Sequence, residues 1–222
     1  MILMPDILLK SLLDAILDKI KTDYTSAGDK STTFLYKMYN GLISGKYVFL
    51  AEAIKIFNRT ADDPRTIDTR LLFDRERASL PTVHVTIPNE TPYADGIGLD
   101  DGYVENTLDA SSVAPNQTMT EYYTRGYESK FELIITGSNS FEVLMIFYTL
   151  KAALINNVES LEVNGFRNLK IYGSDLKIND TLQNNAYMRI LHLDSFFELN
   201  IPKFASVVLV NSISPITGEA YD

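Results

Sequence analysis

Between Pro88 and Phe131 the chain abandons its hydrophobic pattern for 42 residues, and that interruption constrains the fold more than any other feature. Before it, Leu80-Pro-Thr-Val-His-Val-Thr-Ile-Pro88 alternates as a strand does, with Val83, Val85 and Ile87 on one face. After it, Phe131-Glu-Leu-Ile-Ile-Thr136 reads as a second strand and leads directly into an apolar helix. The stretch between carries eight acidic side chains, two basic ones and five of the 13 tyrosines, with few large aliphatics. A segment of that length inside a compact domain is either a functional arm or a disordered insertion.

The flanking segments supply the core. A strand at 131–136, a turn at Gly137-Ser-Asn-Ser140 and a helix from Phe141 to about Asn157 form the clearest unit, with Asn139 and Glu142 spaced as a capping box. That helix is apolar almost all round, whereas a helix lying on one sheet face needs only a stripe. A second cover is therefore expected, from another element or another subunit. Near the start, Leu9, Leu12, Leu13, Ile16, Leu17 and Ile20 predict an amphipathic helix over about Asp6–Lys21, with Asp6 as its cap. Residues 34–57 are apolar and aromatic. Their period does not separate strand from helix, although 48–57 leans helical.

Further on, Asn164-Gly165 between two apolar runs predicts a β-hairpin. Segments 187–193 and 196–201 predict two strands, and 205–210 a last one. The whole reads as one α+β domain over 1–222, with helices packed on a mostly antiparallel sheet. Its parts are an N-terminal helical region over 1–60, a sheet-and-helix core over 71–88 and 131–210, and an inserted interaction arm over 89–130.

Charge narrows the function. The formal net charge is −9, and the arm alone supplies −6 of it (eight acids against two bases), so the remainder is nearly neutral. Phosphate neutralisation needs clustered Lys and Arg, which argues against a nucleic-acid-binding surface. Cysteine is absent, which excludes disulfides, thiolate metal sites and a cysteine nucleophile. The first residues lack the features of a signal peptide, and no apolar run approaches a membrane span.

Catalytic motifs fail one by one. His84 sits mid-strand opposite Val83 and Val85, and His192 between Leu191 and Leu193; both read as structural. Gly96, Gly98 and Gly102 miss the dinucleotide-loop spacing, and Asp95 is followed by Ile97 and Leu99 where a calcium loop needs oxygen ligands. An irregular cation site from Asp95, Asp100, Asp101 and Glu105 stays open as the basis of an alternative metal-dependent enzyme. No serine lies in a nucleophile elbow. The expectation is a non-enzyme without cofactor.

Contact residues are the better candidates. Tyr93, Tyr103, Tyr122, Tyr123 and Tyr127 crowd into a polar arm, and tyrosine gives large contact area with a polar tip. These rings either fold back onto the parent domain or lie across a neighbour. Residues 59–80 are charge-dense and read as a solvated connection, or as an intersubunit surface using Arg65, Arg70, Arg75 and Arg77.

Three stretches carry a family resemblance: Phe73-Asp-Arg-Glu-Arg-Ala-Ser-Leu-Pro-Thr-Val-His-Val-Thr-Ile-Pro-Asn-Glu90, Ser140-Phe-Glu-Val-Leu-Met-Ile-Phe-Tyr-Thr-Leu-Lys-Ala-Ala-Leu154, and Met188-Arg-Ile-Leu-His-Leu193 with Phe197-Glu-Leu-Asn-Ile-Pro202. Together they resemble neck, ring or tail-terminator-type virion proteins of tailed bacteriophages, nearest in texture to the ring proteins of crAss-like phages. The resemblance covers roughly 71–202. It implies a homo-oligomeric ring of six or twelve copies in the head–tail connector, with portal, neck or tail proteins as partners. It also implies a virion location and an acidic lumen through which DNA passes without specific binding. A tail-completion or baseplate component is the nearest variant.

Overall fold

The computed structural model describes residues 4–59, 66–71, 80–92, 102–103, 122–175 and 187–202. Among these residues a two-stranded ribbon, β1 (Ile43–Ser44) and β2 (Tyr47–Val48), accompanies a six-stranded sheet of β3 (Asp68–Leu71), β4 (Thr82–Pro92), β5 (Gly102–Tyr103), β6 (Tyr122–Gly137), β7 (Arg167–Asp175) and β8 (Tyr187–Pro202). The larger sheet's order is β3-β4-β6-β8-β7, with β5 continuing the β4 side of β6. Every pairing is antiparallel except β3 with β4. The α+β architecture with a mostly antiparallel sheet is the one the sequence predicts.

Helices cover one face. α1 (Pro5–Ser26) packs on β3 and β4, and α4 (Ser140–Asn156) on β6 and β8. α5 (Val158–Val163) closes over β7, while α2 (Phe34–Tyr39) and α3 (Phe49–Phe57) pack against α1 and α4. No described helix is long and apolar enough to cross a membrane. Phe131, Leu133 and Ile135 of β6 face the helices with Leu191, Leu193 and Phe197 of β8, all fully buried. Phe166 meets Phe131 edge-on at 5.6 Å between ring centres. Each such side chain contributes about 1.5–3 kcal/mol.

Two bulges tune the sheet. Between Thr86 and Asn89 the register of β4 against β6 shifts by one, so Ile87 and Pro88 oppose Phe131 alone. Proline cannot donate to a ladder, and a bulge accommodates it. The extra residue also reverses the in–out parity of everything beyond it. A second bulge in β7 places Asn168 at φ 52°.

Several local expectations are corrected. α1 begins with Pro5 at its first turn and has no side-chain cap, so Asp6 is a first-turn acid and not the cap. Asn139 does cap α4, accepting from the Phe141 N–H at 2.8 Å, but Glu142 does not complete a capping box. Its carboxylate turns to Arg59 instead, at 3.1 Å.

Asn164-Gly165 is not a hairpin turn. The residues before it form α5, and Gly165 at φ 99° ends the helix. The Phe166 N–H donates to the Leu161 carbonyl and the Gly165 N–H to that of Glu162, which is the Schellman pattern. Leu161 and Phe166, both buried, make its apolar clasp. The two strands predicted over 187–193 and 196–201 are one continuous strand, because β6 offers an unbroken ladder along its length. The strand expected at 205–210 lies outside the described residues. β3 went unpredicted within a charge-dense segment.

The second cover of α4 comes from within the chain. Tyr39 of α2 is buried against it, its hydroxyl donating to the Met145 carbonyl at 2.9 Å with the Thr149 hydroxyl at 2.7 Å. α3 also packs on α4. The apolar circumference of α4 thus requires no partner subunit. Phe141, Tyr148 and Ile155 remain exposed along it at seven-residue spacing.

Candidate functional site

Ladder pairing builds a rigid version of the arm's base. β6 and β8 pair without interruption from Tyr122–Pro202 to Gly137–Tyr187. Sixteen residues at about 3.3 Å each span roughly 53 Å, whereas the 17 residues of α4 cover about 25 Å. β4 follows β6 as far as Pro92–Tyr127, and β5 resumes the pairing at Tyr103–Tyr123. The two ends of the predicted arm, 89–92 and 122–130, therefore belong to core strands β4 and β6, and the arm is correspondingly shorter than the 89–130 expected.

The tyrosines divide accordingly. Tyr127 is half-buried and stacks on Phe197 at 6.2 Å between ring centres, a fold-back onto the parent sheet. Tyr103, Tyr122 and Tyr123 belong to paired strands by backbone register, with Tyr103 opposite Tyr123. Tyr93 lies outside the described residues, as do Asp95, Asp100, Asp101 and Glu105 of the acidic loop. So do Arg65, Arg75 and Arg77. Arg70 sits in β3, its Nε 2.5 Å from Asp68 Oδ2.

The charge-dense segment contains something its sequence conceals. Arg59 and Glu142 are each 9% exposed and joined at 3.1 Å, far from the solvated ion pairs expected there. The partners come from elements 83 positions apart, so no local spacing signalled the pair. Nearby, the Thr69 hydroxyl donates to Asp14 and ties β3 to α1.

On the sheet face away from the helices, β6, β8 and β7 bring one polar cluster together. Glu132, His192 and Tyr172 stand side by side in register, and Lys130, Asp194 and Lys170 form the next row. His192 Nε2 lies 2.7 Å from Ser174 Oγ and its Nδ1 3.4 Å from Glu132 Oε1. The imidazole stacks on Tyr172 at 4.8 Å and 16°. The Tyr172 hydroxyl contacts both Asp194 oxygens at 3.2 Å. Desolvation first, and then the Asp194 carboxylate, push its pKa up.

Serine, histidine and glutamate in that order invite comparison with a nucleophilic triad. The geometry falls short of one. At 3.4 Å the carboxylate holds the imidazole weakly, and Ser174 occupies a regular strand where a nucleophile needs an exposed turn beside oxyanion donors. A cross-strand polar ladder that caps an open sheet face accounts for every contact. The sequence marks His192 only as a mid-strand structural histidine, because Glu132 and Ser174 reach it through strand register.

Among the described residues no group of three or more His, Asp or Glu is placed to hold a metal ion. No protein-family model matches the chain, and no curated protein matches it significantly.

Proposed function

We propose that this protein is a structural component of a tailed-bacteriophage virion, forming a homo-oligomeric ring in the head–tail connector that joins portal to tail and completes the DNA conduit. One observation carries the reading: the β6–β8 ladder runs about twice the length of the helix that backs it. Tyr127 and Phe197 are the last described side chains of that ladder to pack on the core, and the strands run five residues further. A stiff, hydrogen-bonded extension leading into an acidic, tyrosine-rich arm is suited to contact with a neighbouring subunit or an adjacent ring.

The acidic balance fits the same reading, since a negatively charged lumen repels DNA and lets it slide. So does the resemblance over 71–202 to neck and ring proteins. Native mass spectrometry of the protein, alone and with the portal protein of its own phage, tests the proposal. A closed oligomer of defined copy number is expected in at least one condition. A strict monomer in both, at high concentration, overturns it.

A further inference from the structure

β8 is covered unequally on its two sides. β6 accompanies it from Tyr187 to Pro202, whereas β7 accompanies it only as far as Arg167, opposite Phe196. Upstream of Arg167 the chain turns into α5, which lies on the helical face. Among the described residues no strand pairs with 197–202 on the β7 side. Successive residues of an antiparallel strand turn their N–H and C=O groups to alternate sides. Every second residue of this stretch therefore offers its backbone groups outward. The matching lane beside β6 is filled: β4 ends opposite Tyr127, and β5 resumes the pairing at Tyr123.

The chain itself delivers a suitable segment to this edge. β8 ends at Pro202, and Lys203 and Phe204 lead straight into Ala205-Ser-Val-Val-Leu-Val210. These six residues, which lie outside the described ones, carry no charge, no glycine and no proline. An uncharged run of high β-propensity invites pairing with other chains when it is left in water. So does an open sheet edge. Each removes the other's liability, and six open positions face a run of six residues. A reversal at Lys203-Phe204 would set 205 against 202 and 210 against 197, so that the added strand stops where β7 starts.

We propose that residues 205–210 fold back onto the open edge of β8 in the same copy, as a seventh strand in line with β7. The tether decides for the same copy: a linker of a few residues holds the segment at an effective concentration of about millimolar beside its own edge. Lys203-Phe204 lacks the glycine or asparagine that two-residue hairpin turns favour. A reversal of three or four residues moves the register by one or two and still covers the edge from 202 to 199. The added strand stands apart from the ring reading, since a monomer carries it as well as a ring subunit does.

The protein has no cysteine, so an engineered pair can react only with itself. In the full-length chain, Leu199→Cys is combined in turn with Val208→Cys, Leu209→Cys and Val210→Cys, which match reversals of two, three and four residues. Directly opposed α-carbons stand about 5 Å apart, within the span of a disulfide. After mild oxidation of dilute protein, peptide mass spectrometry is expected to find an intramolecular disulfide in at least one pair. Disulfides in none of the three, or only between copies, overturn the proposal, and the second result gives the edge to a neighbour's segment. Hydrogen exchange of the unmodified protein reads the same edge without substitution. The outward amides of 197–201 are expected to be protected, and Val208→Pro, confirmed folded by thermal melting, to speed their exchange by at least about tenfold. Outward amides that already exchange at the rate of an unstructured peptide in the wild type, or that ignore the proline, overturn it.

Discussion

Gly173 of β7 lies directly beneath the aromatic ring of Phe147 in α4. A β-carbon at that glycine would fall inside contact distance of the ring's Cζ. The helix packs this closely because one strand position forgoes a side chain, and Arg189 then lies 4.4 Å above the same ring. Gly173→Ala is expected to cost about 1–3 kcal/mol in urea unfolding, as overpacking does, with an unchanged m-value. Adding Phe147→Leu should recover part of the loss. Strict additivity of the two changes would refute the contact as its cause.

Glu142 supports a second prediction. Its buried pairing with Arg59 links the start of α4 to the end of α3, and the carboxylate also suits the helix N-terminus. Removal of one partner of a buried pair costs about 3–5 kcal/mol. Glu142→Ala should therefore destabilise strongly, and Glu142→Gln less, as read by chemical denaturation. A loss below about 1 kcal/mol for the alanine variant would show that the pair behaves as a surface one.

Alkaline pH gives the third. Burial pushes the Tyr39 hydroxyl up to about 12 from its ordinary 10.0. The folded state thus holds a proton that the unfolded chain releases, so this contribution is complete below pH 10 and is lost between 10 and 12. It amounts to roughly 2–3 kcal/mol. Tyr39→Phe should be less stable near neutrality by about 1 kcal/mol, and its stability should fall less steeply between pH 10 and 12. Parallel pH profiles for the two proteins would contradict the assignment.

Ser174 and His192 give the fourth. As members of a structural polar ladder they should not react: a fluorophosphonate probe is expected to leave Ser174 unlabelled, with peptide mass spectrometry as the readout. His192→Ala should cost less than about 1 kcal/mol, the scale of a cross-strand pair. Stoichiometric labelling lost on that substitution would make the cluster a nucleophilic site.

Particular elements show how far the sequence can be read. Residues 140–156 and 5–26 announce their helices because the apolar spacing of a helix is written into neighbouring positions. Val83 and Val85, or Leu133 and Ile135, announce strands in the same way. Asn164-Gly165 misleads because the same dipeptide serves a hairpin turn and a helix end, and only the burial of Leu161 and Phe166 selects between them. The Glu132–His192–Ser174 cluster is invisible before register is known, since its members lie on three strands.

By itself, then, the sequence determined the periodic elements, the α+β class, the absence of cysteine chemistry and the acidic character of 89–130. Tertiary structure alone decided that 187–202 is one strand, that Tyr39 and α3 supply the second cover of α4, and that Arg59 and Glu142 are buried together. The division has a physical cause. Local pattern records which faces of an element are apolar, but what covers a face depends on elements distant in the chain. The long polar interruption over 89–130 shows both sides of this. Its composition marked it as something other than core, and only the β4, β6 and β8 ladder revealed that its two ends, 89–92 and 122–130, are core strands.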